Sequence, residues 1–143
     1  MATAETVEMG AAHPPKSESI EAFSAILPAL KKELIHLRHE TDKHEPQYFA
    51  PVSSLSNDQL ADISTSDLKE VRVATSAYGL HLFGKVELPA SPGSYIMFRA
   101  FIAGEAQSAR LHCIHFEETE KSDGDKDFRA IFGEKDQLEW FDV

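Results

Sequence analysis

The hydrophobic period of this chain changes near residue 70, and that change limits the folds open to it. Before it, Ile20, Phe23, Leu27, Leu30, Leu34 and Leu37 recur at spacings of three and four. Such spacing predicts one apolar stripe on a helix of about 20 residues. After it, apolar and polar residues alternate. Leu80, Leu82, Val86 and Leu88 share one strand face with Gly84 between them, while His81, Phe83, Lys85 and Glu87 share the other. In the next run, Ile96, Phe98, Ala100 and Ile102 oppose Tyr95, Met97, Arg99 and Phe101.

Local signals punctuate this plan. Ser17 or Ser19 is a simple helix cap, and Pro28 predicts a kink or restart within the helix. Residues 41–69 are polar and irregular, with a short helix expected where Ser56 and Gln59 form a capping box. Val71, Val73 and Thr75 open the strand region. PASPGS and AGEAQS are short connections, which predict an antiparallel meander. Asp123–Gly124 reads as a hairpin turn leading to a strand through Phe128, Ala130 and Phe132, with a helix from Asp125 as the competing reading.

The expected fold is therefore α+β: one N-terminal amphipathic helix packed on a curved antiparallel sheet of four to six strands. Residues 1–17, small and polar with two prolines, read as a disordered tail. Residues 18–143 read as a single domain. The order of elements is similar to that of cystatin-like and cone-shaped α+β domains. That likeness is one of shape, and such shapes host inhibitors and enzymes alike.

Charge narrows the partners. The formal net charge is −10, and residues 105–143 alone carry eleven acidic against five basic side chains. This opposes binding to nucleic acid or to an anionic membrane. Cys113 is the lone cysteine, so no intrachain disulfide exists and a secreted disulfide framework is not expected. The first residues lack the cationic and apolar regions of a secretory signal, and no apolar run approaches membrane-spanning length. Cytoplasmic or nuclear residence is therefore the expectation. No Gly-rich phosphate loop or nucleophile elbow is present, so no cofactor is expected.

The stretch LHCIHFEETE brackets Cys113 between two histidines. On a regular strand Leu111, Cys113, His115 and Glu117 face one way, and His112, Ile114 and Phe116 face the other. His112 and His115 then cannot share a metal, and a Cys113–His115 pair lacks the two further ligands zinc needs. A Cys113–His115–Glu117 row has side chains that stand parallel instead of converging, which is poor geometry for nucleophilic catalysis. A small buried thiol and half-exposed histidines are the plainer reading. HLRHETDKHE places His36, His39 and Glu40 on one helix surface, which reads as a solvated face near a helix end. DGDKDFRAIFGE spaces Asp123, Asp125, Asp127 and Glu134 as in a calcium loop, but Phe128 stands where that loop needs glycine. A charged hairpin explains it better, and no metal site is expected.

Two functional readings remain. The face carrying Phe83, Met97 and Phe101 is too apolar for plain solvent, so it meets a ligand, the C-terminal segment or a partner chain. The first reading is a non-catalytic binding or protein-interaction domain, homo-oligomeric or joined to another protein through that face. The second is a small cofactor-free isomerase, cyclase or lyase acting on a small apolar or acidic ligand. His81 and His112 would then serve as acid and base, with Arg99 and Tyr95 beside them in a pocket.

Overall fold

The structure is a computed structural model that describes residues 8–141. Residues 1–7 of the expected tail and residues 142–143 of the expected domain lie outside the described residues. The first helix, α1, spans Ser17–Asp42. A 3-10 segment at Pro46–Val52 and a short helix, α2 (Asn57–Leu60), lead to the strands. These are β1 (Glu8–Met9), β2 (Leu68–Ser76), β3 (Gly79–Glu87), β4 (Tyr95–Ile102) and β5 (Arg110–Ile114). They form one antiparallel sheet in the order β1-β2-β3-β4-β5. A separate hairpin pairs β6 (Glu117–Glu120) with β7 (Lys126–Arg129). The α+β class, the helix on a sheet and the antiparallel meander expected from the change of period are all present.

The helix is longer than its stripe predicted and runs without interruption through Pro28. Its N-cap is Lys16, which makes no side-chain cap bond; Ser17 already lies in the first turn. The buried side follows Ala22, Phe23, Ile26, Leu30, Leu34 and then Arg38, while Ile20 at one end is largely exposed. Arg38 is buried because it binds the chain that returns beneath the helix. Its guanidinium donates to the carbonyls of Val52 and Leu55 and to Asn57 Oδ1. The capping box at Ser56 and Gln59 forms as the sequence predicts, with bonds of 3.2 and 2.9 Å.

Glu8 and Met9 pair with Thr75 and Ala74, and His13 bridges Val71. So this part of the expected tail lies along the outer edge of β2. At the other end, Asp123–Gly124 sits in the β6–β7 turn, with Gly124 at φ 90°, which favours glycine. The hairpin is tied back by Ala130 N–H to the Tyr48 carbonyl and by Phe128 N–H to Gln47 Oε1. Phe132 then bridges Tyr95.

Two apolar layers result. One lies between α1 and the sheet and includes Phe23, Leu30, Leu34, Leu82, Val86 and Phe98. Phe23 stacks on Phe98 with ring centroids 5.5 Å apart. Gly84 makes that pair fit, because a Cβ there would stand 2.2 Å from the Phe98 ring. The second layer lies on the opposite sheet face, where residues 132–141 cover Phe83, Met97 and Tyr95.

Leu30, fully buried in the first layer, should cost about 2–5 kcal/mol when cut to alanine. Gly84→Ala, which removes nothing, should still cost about 1–3 kcal/mol through overpacking against Phe98. Urea unfolding of both variants checks the pair; a neutral Gly84→Ala would mean the Phe23–Phe98 stack can shift.

Candidate functional site

The sheet register sets the outer face. Arg72 pairs with Phe83, and Phe83 with Arg99, so the three form one row across β2, β3 and β4. Lys85 faces the same side two residues along. Each cation reaches a main-chain carbonyl of the C-terminal strap, residues 133–141. Arg72 Nη1 donates to Leu138 O at 2.8 Å, and Arg99 Nη1 to Phe141 O at 3.1 Å. Lys85 Nζ donates to Glu134 O and Asp136 O, both at 2.7 Å. The strap then drops Trp140 and Phe141 onto Phe83, with centroids 5.3 and 5.1 Å away. Arg99 lies 4.5 Å from the Trp140 ring centre, a cation–π contact.

This arrangement decides what covers the apolar face. Phe83 is 0% and Met97 2% exposed, and both lie in the layer that the strap closes. Of the three residues expected to meet a ligand or partner, Phe101 alone keeps partial exposure.

A bulge decides which histidines meet. Cys113 pairs with Arg99 and Leu111 with Ala100, so His112 is an extra residue on β5. The slip breaks the alternation expected for a regular strand. Leu111 and Ile114 pack toward the helix, whereas Cys113 and His115 join the outer layer. His112 joins them too, stacked on Phe101 at 5.6 Å and 6.3 Å from the His81 ring. His112 and His115 therefore do not point to opposite sides.

His81 is buried between Phe101 and Trp140. Arg99 Nη2 stands 3.3 Å from His81 Nδ1. Because guanidinium only donates, Nδ1 is the acceptor and the ring proton sits on Nε2. Nε2 has no hydrogen-bond partner among the described residues. Burial, then Arg99, then His112 hold the His81 pKa below its ordinary value. Desolvation and Arg99 shift His112 the same way. The structure thus brings His81, Arg99, His112 and Phe101 together. Tyr95 is on the same face but at the far end of β4, opposite Glu87, where Lys85 lies over its ring.

His115 lies between Phe132 and Phe141, stacked on both at 5.3 and 4.2 Å. Burial first, with Arg129 adding to it, lowers its pKa although Glu117, 3.5 Å away, raises it. It borders a cleft of about 360 Å³ with Glu117, Arg129, Asp136 and Trp140. Arg129 bridges Glu117 and Asp136 across that cleft. Burial works against the Asp136 charge, but the Gly133 N–H and Arg129 outweigh it and keep the carboxyl below its ordinary range.

A larger groove of about 710 Å³ runs between α1 and β5. Ala25, Ala29 and Leu111 are among its apolar lining residues, and Lys32, His36, Arg110 and His112 lie along it with one acid, Glu33. β5 is the last strand of the sheet, so one of its edges pairs with β4 and the other pairs with no strand among the described residues.

The spacing that suggested a calcium loop folds as the β6–β7 hairpin. There Asp127 pairs with Lys121, and Lys126 with Glu118. Among the described residues no three His, Cys, Asp or Glu side chains gather as a metal set. Reading by sequence alone missed Arg72, Lys85 and Arg38. The available signal was a cation placed on an otherwise apolar strand face or helix stripe, which requires a buried acceptor. No protein-family model, curated protein or solved structure matches the chain.

Three histidines with lowered folded pKa values give a signed expectation. Below the ordinary 6.5 the unfolded chain takes up protons that His81, His112 and His115 resist in the fold. Stability is then highest above that value and falls as the pH drops through the lower folded pKa values. Urea midpoints between about pH 7.5 and about pH 5 should decline, and His81→Phe should flatten part of the slope.

Proposed function

We propose that this chain is a non-catalytic protein-interaction domain that engages its partner at the open edge of the sheet. The carrying observation is the edge of β5 that pairs with no strand among the described residues, beside the 710 Å³ groove. At the other end of the sheet the edge strand is β1, only two residues long, with His13 bridging Val71 further along β2, and the apolar face lies under the strap. An unpaired strand edge offers backbone donors and acceptors that an extended segment can satisfy. The exposed large apolar side chains among the described residues are Ile20 on α1, Tyr78 in the β2–β3 turn and Phe116 between β5 and β6. Homodimerisation through the sheet face therefore has little exposed surface to use. The reading includes cytoplasmic residence, supported by the sequence's having one cysteine and so no intrachain disulfide.

Peptides selected from a random displayed library against the full chain test this reading, with binding mapped by amide NMR shifts. The shifts should cluster on Arg110–Ile114 and on the α1 residues facing them. Shifts confined to the strap would reject edge binding. Light scattering across a concentration series should give a mass near 15.9 kDa. A dimer that survives dilution would assign the edge or face to a second copy instead.

A second reading rests on the buried His81 Nε2 beside Arg99 and His112. That set suits a cofactor-free isomerase, cyclase or lyase on a small aromatic or acidic substrate, provided Trp140 swings away to admit it. Thermal-shift screening with small carboxylic acids, followed through the emission of the single tryptophan, checks it. Binding that disappears in His112→Ala, with stability unchanged, would favour chemistry over partner binding.

A further inference from the structure

We infer that the open end of the layer between helix and sheet binds a small aliphatic amine, at a site separate from the β5 edge. A hollow of about 370 Å³ lies there, between the start of α1, strands β2 to β4 and the loop after β4. Val73, Leu80, Leu82 and Ile102 form its apolar wall. Leu82 is buried, but Val73 and Leu80 keep partial exposure, so the inner layer is uncovered at this end. Glu18, Glu21 and Glu105 also line the hollow, and no lysine, arginine or histidine does. A concave, apolar space of this size with a few polar groups suits a small molecule.

A helix N-terminus favours acids, which accounts for Glu18 in the first turn. It does not account for Glu105, which precedes the 3-10 segment Ala106–Ser108 and makes no side-chain cap bond. Among the described residues none of these three carboxylates is in an ion pair. Ser19 is the independent observation. It opens the buried side of α1, ahead of Ala22 and Phe23, where an apolar side chain would continue the stripe. It is 8% exposed and lines the hollow, and its hydroxyl has no hydrogen-bond partner among the described residues. Burying a hydroxyl unbonded costs stability, and a bound ammonium supplies the missing donor. The carboxylates then balance its charge while its methylenes cover Val73 and Leu80. The single sign of the lining charge excludes carboxylic acids and phosphates.

The test is titration of the full chain with hexylammonium, hexanol and hexanoate, followed by amide NMR shifts. Hexylammonium should bind saturably, with shifts clustered on Glu18–Glu21, Leu80–Leu82 and the loop after β4. Hexanol, the same chain without the charge, should bind about tenfold more weakly, and hexanoate should not bind. Each methylene removed on the way to butylammonium should weaken binding by about fourfold. Ser19→Ala should weaken hexylammonium by about threefold with the urea midpoint unchanged or raised; a merely structural hydroxyl would leave the affinity alone. Glu18→Gln/Glu21→Gln/Glu105→Gln should bring hexylammonium down to the level of hexanol. If that variant misfolds, Glu105→Gln, outside the helix, should still weaken binding by about twofold or more. Equal affinity for hexanol and hexylammonium in the unaltered chain, or a preference for hexanoate, would overturn the amine. Shifts centred elsewhere, or no saturable binding, would overturn the site.

Discussion

Arg72, Lys85 and Arg99 hold the C-terminal strap by its backbone, and the outer half of the molecule depends on that grip. Their acceptors are carbonyls, which carry no side-chain identity. A hydrogen bond from a charged donor contributes about 1.5–3 kcal/mol, against the cost of taking that charge out of water. Lys85 and Arg99 are both 5% exposed, so without the strap each would sit on an apolar face with much of its hydrogen bonding undone. The strap in turn supplies Trp140 and Phe141, which cover Phe83. Cations and aromatics thus stabilise each other: the carbonyls settle the charges, and the rings exclude the water that would compete for them.

The same grip accounts for the state of the histidines. Arg99 faces both ways, to Phe141 O and to His81 Nδ1. Burial under the closed strap, then the fixed Arg99 charge, lower the His81 pKa and favour the neutral ring, and the Arg99 contact selects the tautomer. His112 reaches this cluster through an irregularity, the extra residue that the bulge inserts into β5. Alternation counted back from Ile114 and Cys113 would have left it facing the helix. One inserted residue therefore sets the composition of the cluster, because a slip of one reverses which face a side chain meets.

The legible parts of the sequence were those fixed by period. The helix, the faces of β3 and β4 and the hairpin turn at Asp123–Gly124 all follow from spacing and turn chemistry. The apolar character of the Phe83 face was legible too, along with the need for something to cover it. Its occupant was not, because residues 133–141 carry no period of their own and dock through main-chain carbonyls that any residue has. The bulge was equally hidden: the pattern of Leu111 to His115 fits a regular strand as well as an irregular one. Arg99 stood out as a cation among apolar neighbours, and a catalytic anion-binding group and a structural clamp give the same pattern in sequence.

Closing the outer face changes where recognition can take place. A side-chain surface that the chain itself fills is no longer open to a partner unless the strap is displaced, which would take from Arg72, Lys85 and Arg99 the strap carbonyls they bind. A backbone edge imposes no such cost. Among the described residues the outer edge of β5 pairs with no strand, and a segment docked there, beside the groove lined by Ala25, Ala29 and Leu111, would leave the strap in place. Recognition at the edge would then leave the His81 cluster shut, with His112 as the residue common to both: it stacks on Phe101 within the cluster and lines the groove outside it.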